Sequence, residues 1–196
     1  MKKVIAITGG IASGKSIFSN YIRKKGYKVL DADAITHSMY DKGIFNYSLV
    51  KAFGNAIIKN GSIDRAYLAE IIYNDRYKKK ILDSIMHPLI YNEMKRLIDE
   101  SIEDIVFIDV ALLFEAGFDS LEDLVLCIYA SKDIRVKRLM ERDNISYDYA
   151  MAKINSQMSM EEIRDRSDIV IDHSDNDLEK FYKDIDKVLK EECLNG

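Results

Sequence analysis

The sequence predicts an α/β fold, a parallel sheet of about five strands flanked by helices. Three observations predict it. Short β-branched or aromatic apolar runs recur along the chain, each with polar residues beyond its C-terminal end. Stretches with helical spacing separate them. A glycine-rich turn joins the first run to the first helical stretch. Runs that are apolar without alternation suit strands buried on both faces, which parallel sheets with helical crossovers provide.

The first run is Val4–Ile7. With Lys2 and Lys3 before it, it has the look of a leader peptide, but it is too short and glycines follow at once, so it reads as a buried strand. Lys28–Leu30, Ile105–Ile108, Leu124–Tyr129 and Ile169–Ile171 are the other four runs. Lys15–Lys25 and Ile134–Arg142 are helical stretches after the first and fourth runs. Leu178–Glu192 places Leu178, Phe181, Tyr182, Ile185, Val188 and Leu189 on one helix face. Residues 35–98 show only helical patterning, as in Tyr67–Tyr73 and Tyr77–Ile98, and residues 138–160 are helical and charged.

The chain has 196 residues, of which 47% are apolar and 32% charged, the balance of a folded chain rather than a disordered one. Lysine and arginine number 29 against 33 aspartates and glutamates, a net charge of −4. That leaves no global basic field for nucleic acid, so no nucleic-acid partner is expected. No apolar stretch approaches the roughly 20 residues a bilayer span needs, so no membrane partner is expected and the location is read as cytoplasmic. Cys127 and Cys193 stand far apart, and His37, His87 and His173 are scattered. The spacing argues against a disulfide framework or a zinc site.

The most specific motif is Gly9-Gly10-Ile11-Ala12-Ser13-Gly14-Lys15-Ser16, which satisfies G-x-x-x-x-G-K-[ST] between a strand and an amphipathic helix. Glycines let the backbone wrap a phosphate closely, and the amides of the loop and helix N-terminus point at the anion. Residues Gly9, Gly10, Ala12, Ser13, Gly14, Lys15, Ser16 and Ile17 are the expected nucleotide contacts. Lys15 reaches the β- and γ-phosphates and the Ser16 hydroxyl ligates Mg²⁺. The motif implies a bound nucleotide with Mg²⁺ and leaves a kinase, a GTPase switch and an ATPase motor open. In a kinase with this loop, residues 35–98 would be a helical substrate-binding insertion and 138–160 a lid, with the core in 1–34, 99–137 and 161–196 of a single domain. The architecture is then that of P-loop NTPases of the nucleoside-monophosphate-kinase kind. The chain has no N-K-x-D loop and no D-x-x-G switch, which argues against a regulatory GTPase.

Acidic residues stand at the strand ends, where open α/β sheets bind ligands. Leu30-Asp31-Ala32-Asp33 places two carboxylates one residue apart, on one side if the chain stays extended. Asp33 could serve an acceptor hydroxyl or could cap the following helix. Asp109, at the end of the third run, occupies the Walker B position for a metal held through water, or else is a turn-former. Arg135, Lys137, Arg138 and Arg142 form a basic cluster in which Arg138 and Arg142 share a helix face. They could close over a transferring phosphate or be a solvated face paired with Glu141 and Asp143.

Taken together the motifs resemble the dephospho-coenzyme A kinases. The segments are Ile7–Ser16, Leu30-Asp31-Ala32-Asp33 with His37, His87-Pro88, Asp109-Val110-Ala111-Leu112-Leu113-Phe114-Glu115, Arg138-Leu139-Met140-Glu141-Arg142-Asp143, Ser156-Gln157-Met158 and Ser167–Ile171. They cover nearly the whole chain in order. The resemblance implies transfer of the γ-phosphoryl of ATP to the ribose 3′-hydroxyl of dephospho-coenzyme A, a small-molecule partner. It implies Asp33 as the base or orienting group. Lys15, Arg138 and Arg142 would handle charge, and Ser16 and Asp109 the metal. His87, Leu113, Phe114 and Glu115 would help bind the acceptor.

The sequence departs from the family pattern at four places. Ala12 stands where Gly is frequent, a small cost if its φ is negative. Ile17 replaces a frequent Thr, Ala111 a usual Pro, and Asp172-His173 falls where Asn is common. The competing readings are another small-metabolite kinase acting on a nucleotide or nucleoside, and a nucleotide-dependent regulatory protein. Oligomeric state is not legible in the sequence.

Overall fold

A computed structural model describes residues 2–73 and 75–193; Met1, Asn74 and residues 194–196 lie outside them. The main sheet is built from β1 (Lys3–Thr8), β2 (Lys28–Asp31), β5 (Ile105–Asp109), β6 (Leu124–Tyr129) and β7 (Ile169–Asp172). Their order is β2-β5-β1-β6-β7. β1 pairs in parallel with β5 and β6, and β6 with β7. All five predicted strands are present. β1 is central, and its neighbours β5 and β6 both come later in sequence, so the turn leaving β1 opens at the switch point of the sheet.

The chain forms two compact units. One comprises residues up to Leu30 and from Ser101 onward; the other is Asp31–Glu100. In the first, α1 (Lys15–Lys24) and α9 (Leu178–Cys193) cover one face of the sheet. The buried set is Ile5, Ile7, Phe18, Ile22, Phe107, Leu126, Ile128, Ile171, Phe181, Ile185 and Leu189. Phe181, Ile185 and Leu189 are the i, i+4, i+8 stripe legible in the sequence. The helices α6 (Lys132–Asp143), α7 (Tyr147–Asn155) and α8 (Met160–Asp165) lie between β6 and β7 in sequence. Ser146 and Ser159 cap α7 and α8 by accepting from the Tyr149 and Glu162 amides.

The second unit holds α2 (Ala32–Asp41), α3 (Asn46–Phe53), α4 (Arg65–Tyr73) and α5 (Arg76–Glu100). It is not helical throughout, as the patterning implied. β3 (Ile58–Lys59) and β4 (Ser62–Ile63) form an antiparallel hairpin. Asn60 at φ 52° and Gly61 at φ 81° make its turn. Asn-Gly is the strongest short hairpin signal, but two-residue strands leave no periodicity to read. Pro88 sits inside α5, where it removes the amide that would reach the Ser84 carbonyl.

In the first unit, burial pushes the Glu122 carboxyl up to about 7, and its buried Oε2 has no hydrogen-bond partner. The ordinary value is 4.5, so ionisation opposes folding. Stability is greatest below that value and is lost as pH rises through about 7. Glu122→Gln is therefore expected to narrow the fall in Tm between mildly acidic and mildly alkaline buffer. Thermal melts across that range check it, and an unchanged fall would place the titration elsewhere.

Candidate active site

The turn from β1 to α1 wraps tightly, and its glycines have physical reasons. A Cβ on Gly9 would stand 2.5 Å from the Ile128 carbonyl oxygen and 2.7 Å from Ser13 Oγ. Gly14 has φ 111°, and a Cβ there would stand 2.9 Å from His173 Cδ2. Gly14→Ala is expected to cost about 1–3 kcal/mol of stability and to weaken nucleotide binding. Denaturant unfolding with ATP titration checks both; an unaltered Gly14→Ala protein would mean the loop relaxes freely. Ala12 does not meet the condition for a small cost. Its φ is +62°, not negative, so the loop holds an L-residue in left-handed backbone at a cost of roughly 1–2 kcal/mol.

Lys15 and Ser16 open α1; the Ile17 amide donates to the Gly14 carbonyl at 2.9 Å, and the Lys15 and Ser16 amides lie before the first intrahelical bond. Together with the helix dipole they form an anion site. Ser16 and Ile17 are exposed. The Lys15 ammonium forms an ion pair with Asp109. Asp109 is 5% exposed and also accepts from Ser19 Oγ at 2.6 Å. The strand register explains the meeting: Asp109 ends β5 beside Ile7 of β1, and Ser19 lies one helical turn after Lys15. Asp109 is thus no simple turn-former. It is a buried carboxylate against the loop's lysine.

Three buried polar atoms without hydrogen-bond partners surround the same loop: Ser13 Oγ, Arg135 Nη2 and His173 Nδ1. Leaving such groups unsatisfied costs about 1–3 kcal/mol each. Ser13 belongs to the loop, His173 lies against Gly14, and Arg135 lies against Gly10. Of the three, Arg135 Nη2 and Ser13 Oγ are donors of the kind an oxyanion accepts from. Among the described residues no group of three or more His, Cys, Asp or Glu could hold a metal ion by itself. A divalent cation here would share its ligands with phosphate oxygens, as Mg²⁺ commonly does.

The basic cluster divides. Arg138 reaches the loop: Nη1 donates to the Ala12 and Ser13 carbonyls at 3.4 and 3.2 Å. Its Nη2 donates to the His173 carbonyl at 2.7 Å and to Asn176 Oδ1 at 2.9 Å. This is not a solvated face, and burial pulls its pKa down. Arg142 does sit in solvent, 2.7 Å from Asp143 Oδ1. Bonding to Arg142 and then Lys153 holds the Asp143 carboxyl down at about 2. Helix α6 runs unbroken through residues 137 and 138, where the lid was expected to begin.

A model of the dephospho-CoA kinase family matches residues 3–179. The chain belongs to the dephospho-CoA kinase family. Curated dephospho-CoA kinases resemble it along nearly their full length. That of Oceanobacillus iheyensis is 40% identical over 195 residues, 97% of this chain and 98% of the relative. That of Fusobacterium nucleatum is 38% identical over 185 residues, 94% and 95% of the two chains. Among solved structures, dephospho-CoA kinase from Campylobacter jejuni superposes with TM-score 0.72 at 32% identity, covering 97% of each chain. A Thermus thermophilus protein superposes with TM-score 0.82 at 30% identity, covering 97% of this chain and 98% of that one. Shikimate kinase from Acinetobacter baumannii, at 12% identity and TM-score 0.55, shares the fold alone.

The remaining segments that resemble this family fall in both units. In the first, Leu113 is wholly buried, so it packs in the core rather than lining a surface. Phe114 carries the Arg166 guanidinium 4.0 Å from its ring centroid. Glu115 Oε1 accepts from the Met158 amide at 3.0 Å. In the second unit, Asp31 and Asp33 do not extend side by side. The chain turns helical at Ala32, and Asp31, not Asp33, is the cap. Its Oδ1 accepts from the Asp33 and Ala34 amides at 2.9 and 3.0 Å. Asp33 is left exposed in the first turn of α2, with His37 one turn on. His37 is approached by Arg65, whose Nη1 lies 2.9 Å from Nδ1. His87 lies 3.8 Å from Asp83 on its own helix.

Sequence reasoning missed Ser19 and Met160 at the loop, read Gln157 only as part of a segment resembling a lid, and undervalued Arg135 and His173. Gln157 Oε1 accepts from the Ile11 amide at 2.8 Å, and Met160 Sδ from the Gly10 amide at 3.0 Å. Only Ser19 carried a usable signal, its i+4 spacing from Lys15. The others reach the loop through tertiary packing.

Proposed function

We propose that the chain transfers the γ-phosphoryl group of ATP to the ribose 3′-hydroxyl of dephospho-coenzyme A, giving coenzyme A and ADP, in the cytoplasm. The reading is supported above all by the phosphate loop, with Lys15 and Asp109 meeting at the ends of β1 and β5. Lys15 moves from Asp109 to the β- and γ-phosphates and balances charge as the phosphoryl group leaves. The loop contacts are Gly9, Gly10, Ala12, Ser13, Gly14, Ser16 and Ile17. Asp109, when Lys15 leaves it, would be free to take part in holding the metal. Ser16 and Asp109 are the groups that would hold Mg²⁺, which supplies charge neutralisation across the phosphates. Asp33, exposed and not engaged as a cap, accepts or orients the acceptor's hydroxyl proton. Arg138 links the loop carbonyls to the segment after β7 and sets the loop's shape; Arg142 contributes from solvent. Residues 35–98, with His87, form the acceptor-binding region, and Phe114 and Glu115 border the site, backed by Leu113. Residues 138–160 act as the lid of a single-domain enzyme.

ADP release with four acceptor conditions tests this reading. Rapid release is expected with dephospho-coenzyme A, and slow release with AMP, with a nucleoside or with no acceptor. Fast turnover of AMP or a nucleoside, with none of dephospho-coenzyme A, would contradict it.

A further inference from the structure

Arg135 is the least explained cation of the first unit. It is 2% exposed. Its Nε donates to the Ile11 carbonyl at 2.9 Å, while Nη2 is buried without a partner. Among the described residues no carboxylate forms an ion pair with it; Glu161 acts on it only through the field. A buried guanidinium with no counter-anion is costly, several kcal/mol per ion after relaxation. Burial is also the main force pulling its pKa down.

The position of this charge is informative. A Cβ on Gly10 would stand 2.6 Å from Arg135 Nη2 and 2.8 Å from Met160 Sδ. The guanidinium therefore lies against the second glycine of the phosphate loop. Arg135 also lines a cavity of about 220 Å³ with Lys132, Gln157, Ser159, Met160 and Glu161. The two loop amides beside it, Gly10 and Ile11, donate to a thioether and a neutral carboxamide. A thioether is a weak acceptor, and neither group carries charge. An oxyanion would satisfy the two amides and the orphan Nη2 together, with charge-assisted bonds roughly twice as strong as neutral ones.

We propose that Arg135 binds a phosphoryl group, the terminal phosphoryl of a nucleoside triphosphate. The Met160 and Gln157 side chains give up the Gly10 and Ile11 amides to its oxygens, and Nη2 supplies the neutralising charge. The inference rests on the kinase reading. It adds a residue that acts on the group to be transferred, distinct from Arg138, whose donors are spent on backbone carbonyls and Asn176.

The test is calorimetric titration of Arg135→Gln and Arg135→Lys with ATP, ADP and dephospho-coenzyme A, each in Mg²⁺ buffer. Arg135→Gln is expected to lower ATP affinity about tenfold or more, the worth of one hydrogen bond to a charged group. ADP affinity should stay within about twofold, because the terminal group is missing. Arg135→Lys keeps the charge and should recover part of the ATP preference. A parallel fall for ATP and ADP would make Arg135 a structural brace of Ile11 and overturn the proposal. A fall confined to dephospho-coenzyme A would assign the oxyanion to the acceptor and overturn it too. If Arg135→Gln does not fold, Arg135→Lys with an unaltered ATP-to-ADP ratio and full stability would count against the fork geometry proposed. Wild-type turnover of dephospho-coenzyme A alongside any of these failures would leave the kinase reading standing.

Discussion

Replacing Lys15 by Ala is expected to lower turnover by on the order of 10²-fold or more, the usual cost of losing one electrostatic contact to developing charge. The structure adds a complication. Lys15 is the ion-pair partner of Asp109, and Asp109 is 5% exposed. Removing the ammonium leaves a buried carboxylate whose remaining partner among the described residues is Ser19. Breaking a buried pair from one side typically costs about 3–5 kcal/mol, so Lys15→Ala should also unfold more easily. The double variant Lys15→Ala with Asp109→Asn separates the two effects. It should regain much of the stability and none of the turnover. Recovery of both would mean that the lysine serves only to neutralise Asp109.

Asp33→Asn is expected to lower kcat by roughly 10²-fold or more while the ATP KM stays near that of the wild type. The capping geometry makes this a cleaner experiment than the sequence promised. Asp31 is the residue that accepts the amides of the first turn of α2, so Asp33 carries no capping bond to lose. Its remaining structural worth is the attraction of a first-turn carboxylate to the helix dipole, about 0.3–1 kcal/mol. A small change in Tm with a large change in kcat would separate chemistry from structure. Asp31→Asn serves as the control, since Asn caps about as well as Asp. Asp33→Asn turnover within a few-fold of wild type would make Asp33 structural and move the role of base to Asp31 or Asp109, and a large loss in Asp31→Asn would then pick out Asp31.

The core of the fold was legible because parallel strands buried on both faces write themselves as unbroken apolar runs. β1, β5 and β6 could hardly be read otherwise. The phosphate loop was legible because its chemistry demands particular residues at particular spacings. The hairpin at Ile58–Ile63 was hidden by strands two residues long. The sign of φ at Ala12 was not legible, because alanine rarely adopts left-handed backbone and only the closed loop requires it there. Arg138 and Arg142 share a helix and an i, i+4 spacing, yet one grips loop carbonyls and the other faces solvent. That difference depends on where β7 delivers His173 and Asn176, which no local pattern encodes. Arg135 is the sharpest case. A charge run on a helix usually means a solvated face, and here its first member is buried beneath a phosphate loop.

The central claim is that the phosphoryl group goes to the ribose 3′-oxygen of dephospho-coenzyme A. The most direct measurement is the identity of the product made by the wild-type protein from ATP, Mg²⁺ and dephospho-coenzyme A, resolved chromatographically against coenzyme A and its 2′-phosphate isomer. The account predicts a single product indistinguishable from coenzyme A, formed one for one with ADP, and none from an acceptor lacking the 3′-oxygen. ADP formed while dephospho-coenzyme A is recovered unchanged, or a phosphate placed on any other oxygen, would contradict it.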